Sequence, residues 1–217
     1  MQVDEAPRSL RLALEGRALL EAGALVPALP LLALAPRGDG HPVLVLPGWL
    51  ASDRSTQILR TFLRGLGYRA HGWNLERNEG PTAEIREGLV RRLAEIKNRH
   101  GRAVSLVGWS LGGVYARELA RRYPSDVRQV ITLASPFRDR RELQRAPLPV
   151  PTTAVYSRSD GIVPWSRCVE VEGRERAESV EVDSSHLGMG HHPRVLLIIA
   201  DRLAQPEGRW RPFAGRD

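Results

Sequence analysis

The sequence predicts an α/β protein: a three-layer α/β/α sandwich on a mostly parallel sheet of about six strands. From residue 41 onward, short β-branched runs alternate with stretches of helical spacing, and strand followed by helix, repeated, implies a parallel sheet covered on both faces. At 217 residues, with 42% hydrophobic side chains, the chain can bury one core without disulfides or structural metal. It carries 1 cysteine, Cys168, which excludes an internal disulfide framework and reads as a small buried side chain.

The chain opens with an apolar stretch over residues 18–35 that could pass for an export signal. Its pattern argues otherwise: Arg8, Arg11, Glu15, Arg17 and Glu21 interleave with Leu10, Leu14, Leu19 and Leu20, as on an amphipathic helix. Pro27, Pro30 and Pro36 are then expected to break the apolar run. Residues 1–40 are accordingly expected to pack on a single domain spanning 41–217, in a cytoplasmic protein, and could fold over the mouth of a site as a small lid. No stretch reaches the length that spans a bilayer.

Strands are expected at 43–46, 69–73, 103–107, 128–133, 152–156 and 178–182. Helices are expected at 52–65, 82–99 and 111–122, with a last one at about 193–203. Ile85, Leu89, Leu93 and Ile96 form one apolar stripe. There is no internal repeat, low-complexity tract or second-domain boundary.

The net charge is +7, almost all of it arginine, since Lys97 is the single lysine. A nucleic-acid binder gathers such charge on one face beside a recognisable module. Here Arg91-Arg92, Arg121-Arg122 and the run from Arg138 to Arg141 stand among acidic residues, as solvated surfaces do, so no nucleic-acid partner is expected.

In such sheets the chemistry lies outside the carboxyl ends of the strands. There the sequence places Gly108, Trp109, Ser110, Leu111 and Gly112, a G-x-S-x-G pattern. Alone the pattern is weak, arising by chance in roughly one such chain in ten. Its position gives it weight, because it joins the end of a strand to the start of a helix, where a sharp turn presents a serine hydroxyl in strained geometry. A phosphate-binding loop does not fit, since no lysine follows the glycines.

A serine nucleophile needs a base, and the base needs a carboxylate to orient it. His186, between the last strand and the last helix, is the expected base, with His191 the alternative. His41, His71, His100 and His192 stand at structural positions. Asp160, in the loop after 152–156, is the expected carboxylate, with Asp139 the alternative. Asp183 stands too near His186 along the chain and reads as a turn residue. Oxyanion donors are expected at the backbone amides of Leu111, at the start of its helix, and of Trp49, in the loop after the first strand. No metal or organic cofactor is required by this chemistry.

With these residues in place, the chain resembles the α/β-hydrolase superfamily, particularly small bacterial lipases and esterases that lack a cap domain. HPVLVLPGW is similar to the family's first core strand and oxyanion loop, with Pro47 where a histidine is usual. GWSLGG resembles the nucleophile elbow, and YSRSDGIVP and SSHLGMG resemble the acid and histidine loops. The resemblance covers about residues 41 to 204 and implies a hydrolase of small-molecule esters or lipids, with transient contact to lipid surfaces. Thioester hydrolysis or acyl transfer would use the same groups. A non-catalytic binding protein is the reading from another class, and the intact Ser, Asp and His argue against it. Family caps usually fall between the strands matching 128–133 and 152–156, and the 18 residues between them here leave no room for one. The open site is expected to be walled by Leu50, Trp109, Phe137, Trp165, Leu187 and Met189, beside Trp49. Oligomeric state is not legible in these residues.

Overall fold

The computed structural model describes residue 13, residues 15–139 and residues 146–215. Arg8, Leu10, Arg11 and Leu14 of the expected first helix, and Arg140 and Arg141 of the basic run, lie outside the described residues.

Six strands form one sheet: β1 (Pro42–Leu46), β2 (Arg69–Gly72), β3 (Val104–Trp109), β4 (Val127–Leu133), β5 (Thr152–Tyr156) and β6 (Ala177–Glu181). Their order is β2-β1-β3-β4-β5-β6, and each neighbouring pair is parallel. Along β1 every residue is buried, and the faces alternate. Val43 and Val45 belong to one core, while Leu44 and Leu46 belong to the other. That two-sided burial is what an apolar run without polar alternation encodes.

The helices are α1 (Ala18–Gly23), α2 (Leu25–Ala33), α3 (Gln57–Gly65), α4 (Ala83–His100), α5 (Leu111–Arg122) and α6 (Pro193–Leu203). Leu59 and Leu63 of α3, with Val195, Leu196, Ile198 and Ile199 of α6, fill one core. Leu89, Leu93 and Ile96 of α4, with Tyr115 and Leu119 of α5, fill the other. Thr82 caps α4 by accepting the Ile85 amide at 3.3 Å, and Gly101 closes it in the left-handed region at φ 62°.

The amino-terminal segment departs from expectation. The apolar run does not break at its prolines: Leu25–Ala33 is a helix that contains both Pro27 and Pro30. Pro27 falls in the first turn, where an amide has no intrahelical partner to lose, and Pro30 removes a single bond. The break lies at Ala24 instead, where the segments Glu15–Gly23 and Leu25–Ala33 meet at a 57° bend. Leu32 reaches the core, while Leu19, Leu20, Val26, Leu29, Leu31 and Leu34 are exposed. Among the described residues no single helix is long and apolar enough to cross a membrane.

From β1 the chain crosses to β2 on one side and then returns to β3 on the other. The order therefore reverses between β1 and β3, and a crevice opens at their carboxyl ends. Leu46 and Gly108 are paired there. Between β4 and β5 the described residues form neither helix nor strand.

Candidate active site

Ser110 stands at that crevice, between β3 and α5, with φ 52° and ψ −122°. A serine in this region is strained, and the surroundings hold it: its amide donates to the Leu133 carbonyl at 2.8 Å, and its carbonyl accepts from Gly113 at 3.0 Å. The flanking glycines are steric requirements. A Cβ on Gly108 would lie 2.4 Å from the Gly112 carbonyl oxygen, and one on Gly112 would lie 2.4 Å from the Leu46 carbonyl oxygen. The turn can form only if both positions lack side chains.

His186 follows β6, and its Nδ1 lies 2.7 Å from Asp160 Oδ2. Both are nearly enclosed, at 5% and 3% exposure. The other oxygen, Oδ1, accepts the amides of Ile162 and Val163, each at 2.8 Å, so the carboxylate is fixed by its own loop. With Nδ1 donating to Asp160, Nε2 is left as the basic nitrogen of the neutral ring. Asp160 and His186 are thus the directly bonded pair. Ser110 joins them through its neighbour, since Trp109 Nε1 donates to the His186 carbonyl at 3.2 Å. Among the described residues no hydrogen bond joins Ser110 Oγ to the His186 ring, and catalytic bonds of that type commonly tighten only in the substrate complex.

The loop after β1 lies against the serine. A Cβ on Gly48 would sit 3.2 Å from Ser110 Cβ and 3.9 Å from its Oγ. Trp49 follows, 62% exposed, and Leu111 begins α5, where first-turn amides have no intrahelical acceptor. Asn78, fully buried, braces this loop, though no motif marks it. Its Nδ2 donates to the Pro47 carbonyl at 3.0 Å, its backbone carbonyl accepts the Leu50 amide at 2.7 Å, and its Oδ1 accepts the Tyr115 hydroxyl at 3.2 Å.

The expected wall residues divide. Leu50 and Leu187 are exposed, and Trp109 is half-buried with Gly190 packed against its ring. Ile162, beside Asp160, is exposed as well and was not anticipated. Met189 has no exposed surface and packs in the core, because the turn Leu187–Gly190 directs it inward; it is no wall residue. Phe137 is also buried, under the Arg117 guanidinium at 3.8 Å from its ring centroid. Trp165 is half-buried, stacked on Tyr156, with Arg158 4.2 Å from its ring centroid.

The alternatives stand elsewhere. His191 Nε2 lies 3.1 Å from the Ala18 carbonyl oxygen, and His192 caps α6 by accepting the Arg194 amide. Asp139 is exposed, and Asp183 faces Arg17 and Ser159. His41 is buried between Asp39 and Ser105.

This architecture is the α/β-hydrolase fold. Lipase B of Aspergillus fumigatus superposes on it with a TM-score of 0.62 at 17% identity, over 76% of this chain and 53% of that one. The α/β hydrolase domain-containing protein 10 from mouse gives 0.57 at 17% identity, over 77% and 90%. In sequence, the chain is 33% identical over 98 residues to the pimeloyl-[acyl-carrier protein] methyl ester esterase of Shewanella woodyi. That stretch covers 45% of this chain and 37% of the relative, so the chain spans little more than a third of the length of the curated relative it matches. No family model matches the sequence.

Proposed function

We propose that the protein is a serine hydrolase of carboxylic esters that works through an acyl-enzyme. The observation that carries this reading is the enclosed His186–Asp160 pair at 2.7 Å, tied through Trp109 to a serine held at φ 52°. Ser110 Oγ attacks the ester carbonyl while His186 Nε2 takes its proton, and Asp160 orients the ring and stabilises the imidazolium. The Trp49 and Leu111 amides receive the oxyanion, at the positive end of α5. His186 returns its proton to the leaving alcohol, then serves as base for the water that releases the acid. Leu50, Leu187 and Ile162 provide apolar surface for the acyl chain. The exposed leucines of α1 and α2 support contact with lipid or emulsified ester.

A second reading is favoured by the Shewanella woodyi relative: the ester terminates an acyl chain borne on a carrier protein. Hydrolysis of p-nitrophenyl esters from C2 to C12 and of carrier-bound acyl methyl esters, by wild type and Ser110→Ala, tests both. Loss of turnover by several orders of magnitude in the variant is expected. Retention of wild-type turnover in Ser110→Ala would overturn the mechanism.

A further inference from the structure

Glu15 is remote from the site in sequence and buried within it in space, at 7% exposure. Its two carboxylate oxygens accept three backbone amides. Oε1 takes Gly161 at 2.8 Å and His186 at 3.0 Å, while Oε2 takes Leu187 at 2.9 Å. Gly161 directly follows Asp160, and the other two amides belong to the candidate base and its neighbour. A single oxygen atom therefore holds the acid loop and the histidine loop together.

The rest of this short segment reaches the same two loops. Glu21 accepts the Ser185 amide at 2.8 Å and the Ser185 hydroxyl at 2.6 Å. Arg17 donates to Ser159 at 2.9 Å and to Asp183 at 3.2 Å. Asp160 and His186 come from separate strands, and their 2.7 Å bond survives only if both loops keep their relative position. A carboxylate accepts only, so it suits a site whose lining offers only N–H groups. Burying an ionised carboxylate is costly, and an apolar side chain would close the same gap without that cost. What the apolar side chain cannot do is bond both loops at once.

We infer that Glu15 is a positioning residue of the active site: its buried carboxylate staples the loop of Asp160 to the loop of His186, making hydrolysis depend on the amino-terminal segment. The inference rests on the roles proposed for Ser110, Asp160 and His186. It differs from a lid, which would act on substrate entry; a staple acts on the geometry of the pair.

The test uses the full chain with Glu15→Ala, Glu15→Met and Glu15→Gln, beside Ser110→Ala. Three quantities are read: the rate of covalent labelling by a fluorophosphonate, kcat and KM on a p-nitrophenyl ester, and the low-field proton resonance of the His186 Nδ1–H to Asp160 bond. Glu15→Ala is expected to lower labelling and kcat by about 100-fold with KM little changed, the cost of misplacing a catalytic group by about an ångström. Glu15→Gln keeps one acceptor oxygen for the Gly161 and His186 amides and sets an NH2 group against the Leu187 amide, so it is expected to lose no more than about 10-fold. In a folded Glu15→Ala or Glu15→Met the low-field resonance should broaden or vanish, while Glu15→Gln should largely keep it. A folded Glu15→Ala, or where alanine does not fold a folded Glu15→Met, which fills the same gap without an acceptor, overturns the staple if it keeps wild-type labelling and an unchanged resonance. Full labelling of Ser110→Ala instead overturns the hydrolase reading, and the resonance then still decides whether Glu15 holds the pair.

Discussion

Trp109 Nε1 donates to the carbonyl oxygen of His186 at 3.2 Å, so the residue before the candidate nucleophile holds the backbone of the candidate base. The same indole packs on Gly190, where a Cβ would lie 3.3 Å from Cζ3. Trp109→Phe keeps most of the ring contact and deletes the bond. One hydrogen bond contributes about 1 kcal/mol, so kcat on a p-nitrophenyl ester should fall about 5-fold. Trp109→Ala removes the packing too and should fall about 100-fold. Equal rates for Trp109→Phe and wild type would mean that the bond does not position His186.

Asn78 offers a second test, of the loop that carries Trp49. Asn78→Ala leaves the Pro47 carbonyl, the Tyr115 hydroxyl and the Gly80 amide without this partner, while the backbone bond from Leu50 remains. A buried group left unpaired costs about 1–3 kcal/mol, measurable by urea denaturation. If the Trp49 amide is an oxyanion donor, kcat should fall by about 10- to 100-fold with little change in KM, since losing one donor outright costs about 10² to 10³. Tyr115→Phe removes one partner of Asn78 and leaves the Pro47 bond, so its loss should be the smaller. A wild-type kcat in Asn78→Ala would remove Trp49 from the proposed mechanism.

The legible parts of this protein are those encoded by local pattern. The strand β5 falls where TTAVY predicts it, and α6 spans the residues expected, because burial periodicity and a capped helix start are written in adjacent residues. The Asp160–His186 contact was foreseeable because each residue follows a strand, and parallel strands deliver their ends to one edge. Glu15 and Asn78 were not foreseeable in this way. Each acts through backbone amides or carbonyls far along the chain, and backbone groups leave no residue-type signature. The helix through Pro27 and Pro30 was missed because the propensity against proline was outweighed by packing, with Leu25, Ala28 and Leu32 against the core. Met189 was misplaced because a turn of four residues turns successive side chains in different directions, and spacing alone does not say which points inward.

Stability away from the site rests in part on a buried ion pair. Arg117 of α5 pairs with Glu170, both side chains being almost wholly enclosed, and the guanidinium also covers Phe137. Glu170→Ala takes the carboxylate from two enclosed guanidinium groups, Arg117 and Arg174, the latter at 4.0 Å, and is expected to destabilise the fold by about 3–5 kcal/mol in urea. Replacing both together, as Arg117→Met with Glu170→Leu, removes the Arg117 charge and leaves that of Arg174, so it should recover part of that loss. If the double variant is no more stable than Glu170→Ala, the arginine acts through packing on Phe137 rather than through its charge.

Acid sensitivity should trace to the histidines. His71 Nε2 lies 2.9 Å from His100 Nε2, a contact that needs one of the two nitrogens to remain an acceptor. Burial, then the charges of Arg92, His100, Arg99 and Arg64, bring His71 down from 6.5 to about 4. Burial also lowers His41, outweighing its bond to Asp39, and lowers His100 and His192. A histidine kept neutral by the fold is protonated first in the unfolded chain, so its contribution is complete above pH 6.5 and is lost as pH falls from 6.5 toward 4. The carboxylates whose values are lowered, Asp39, Glu84, Glu95, Asp126 and Asp183, work in the same direction only below their ordinary range, at most 4.5. Between pH 6.5 and about 5.5, above the range in which the carboxylates begin to titrate, the fall in Tm is therefore a histidine effect. His71→Asn should flatten the Tm profile across that window in calorimetry while leaving the steeper loss below it. A variant whose profile keeps the full wild-type slope would assign the effect to His41, His100 and His192 instead.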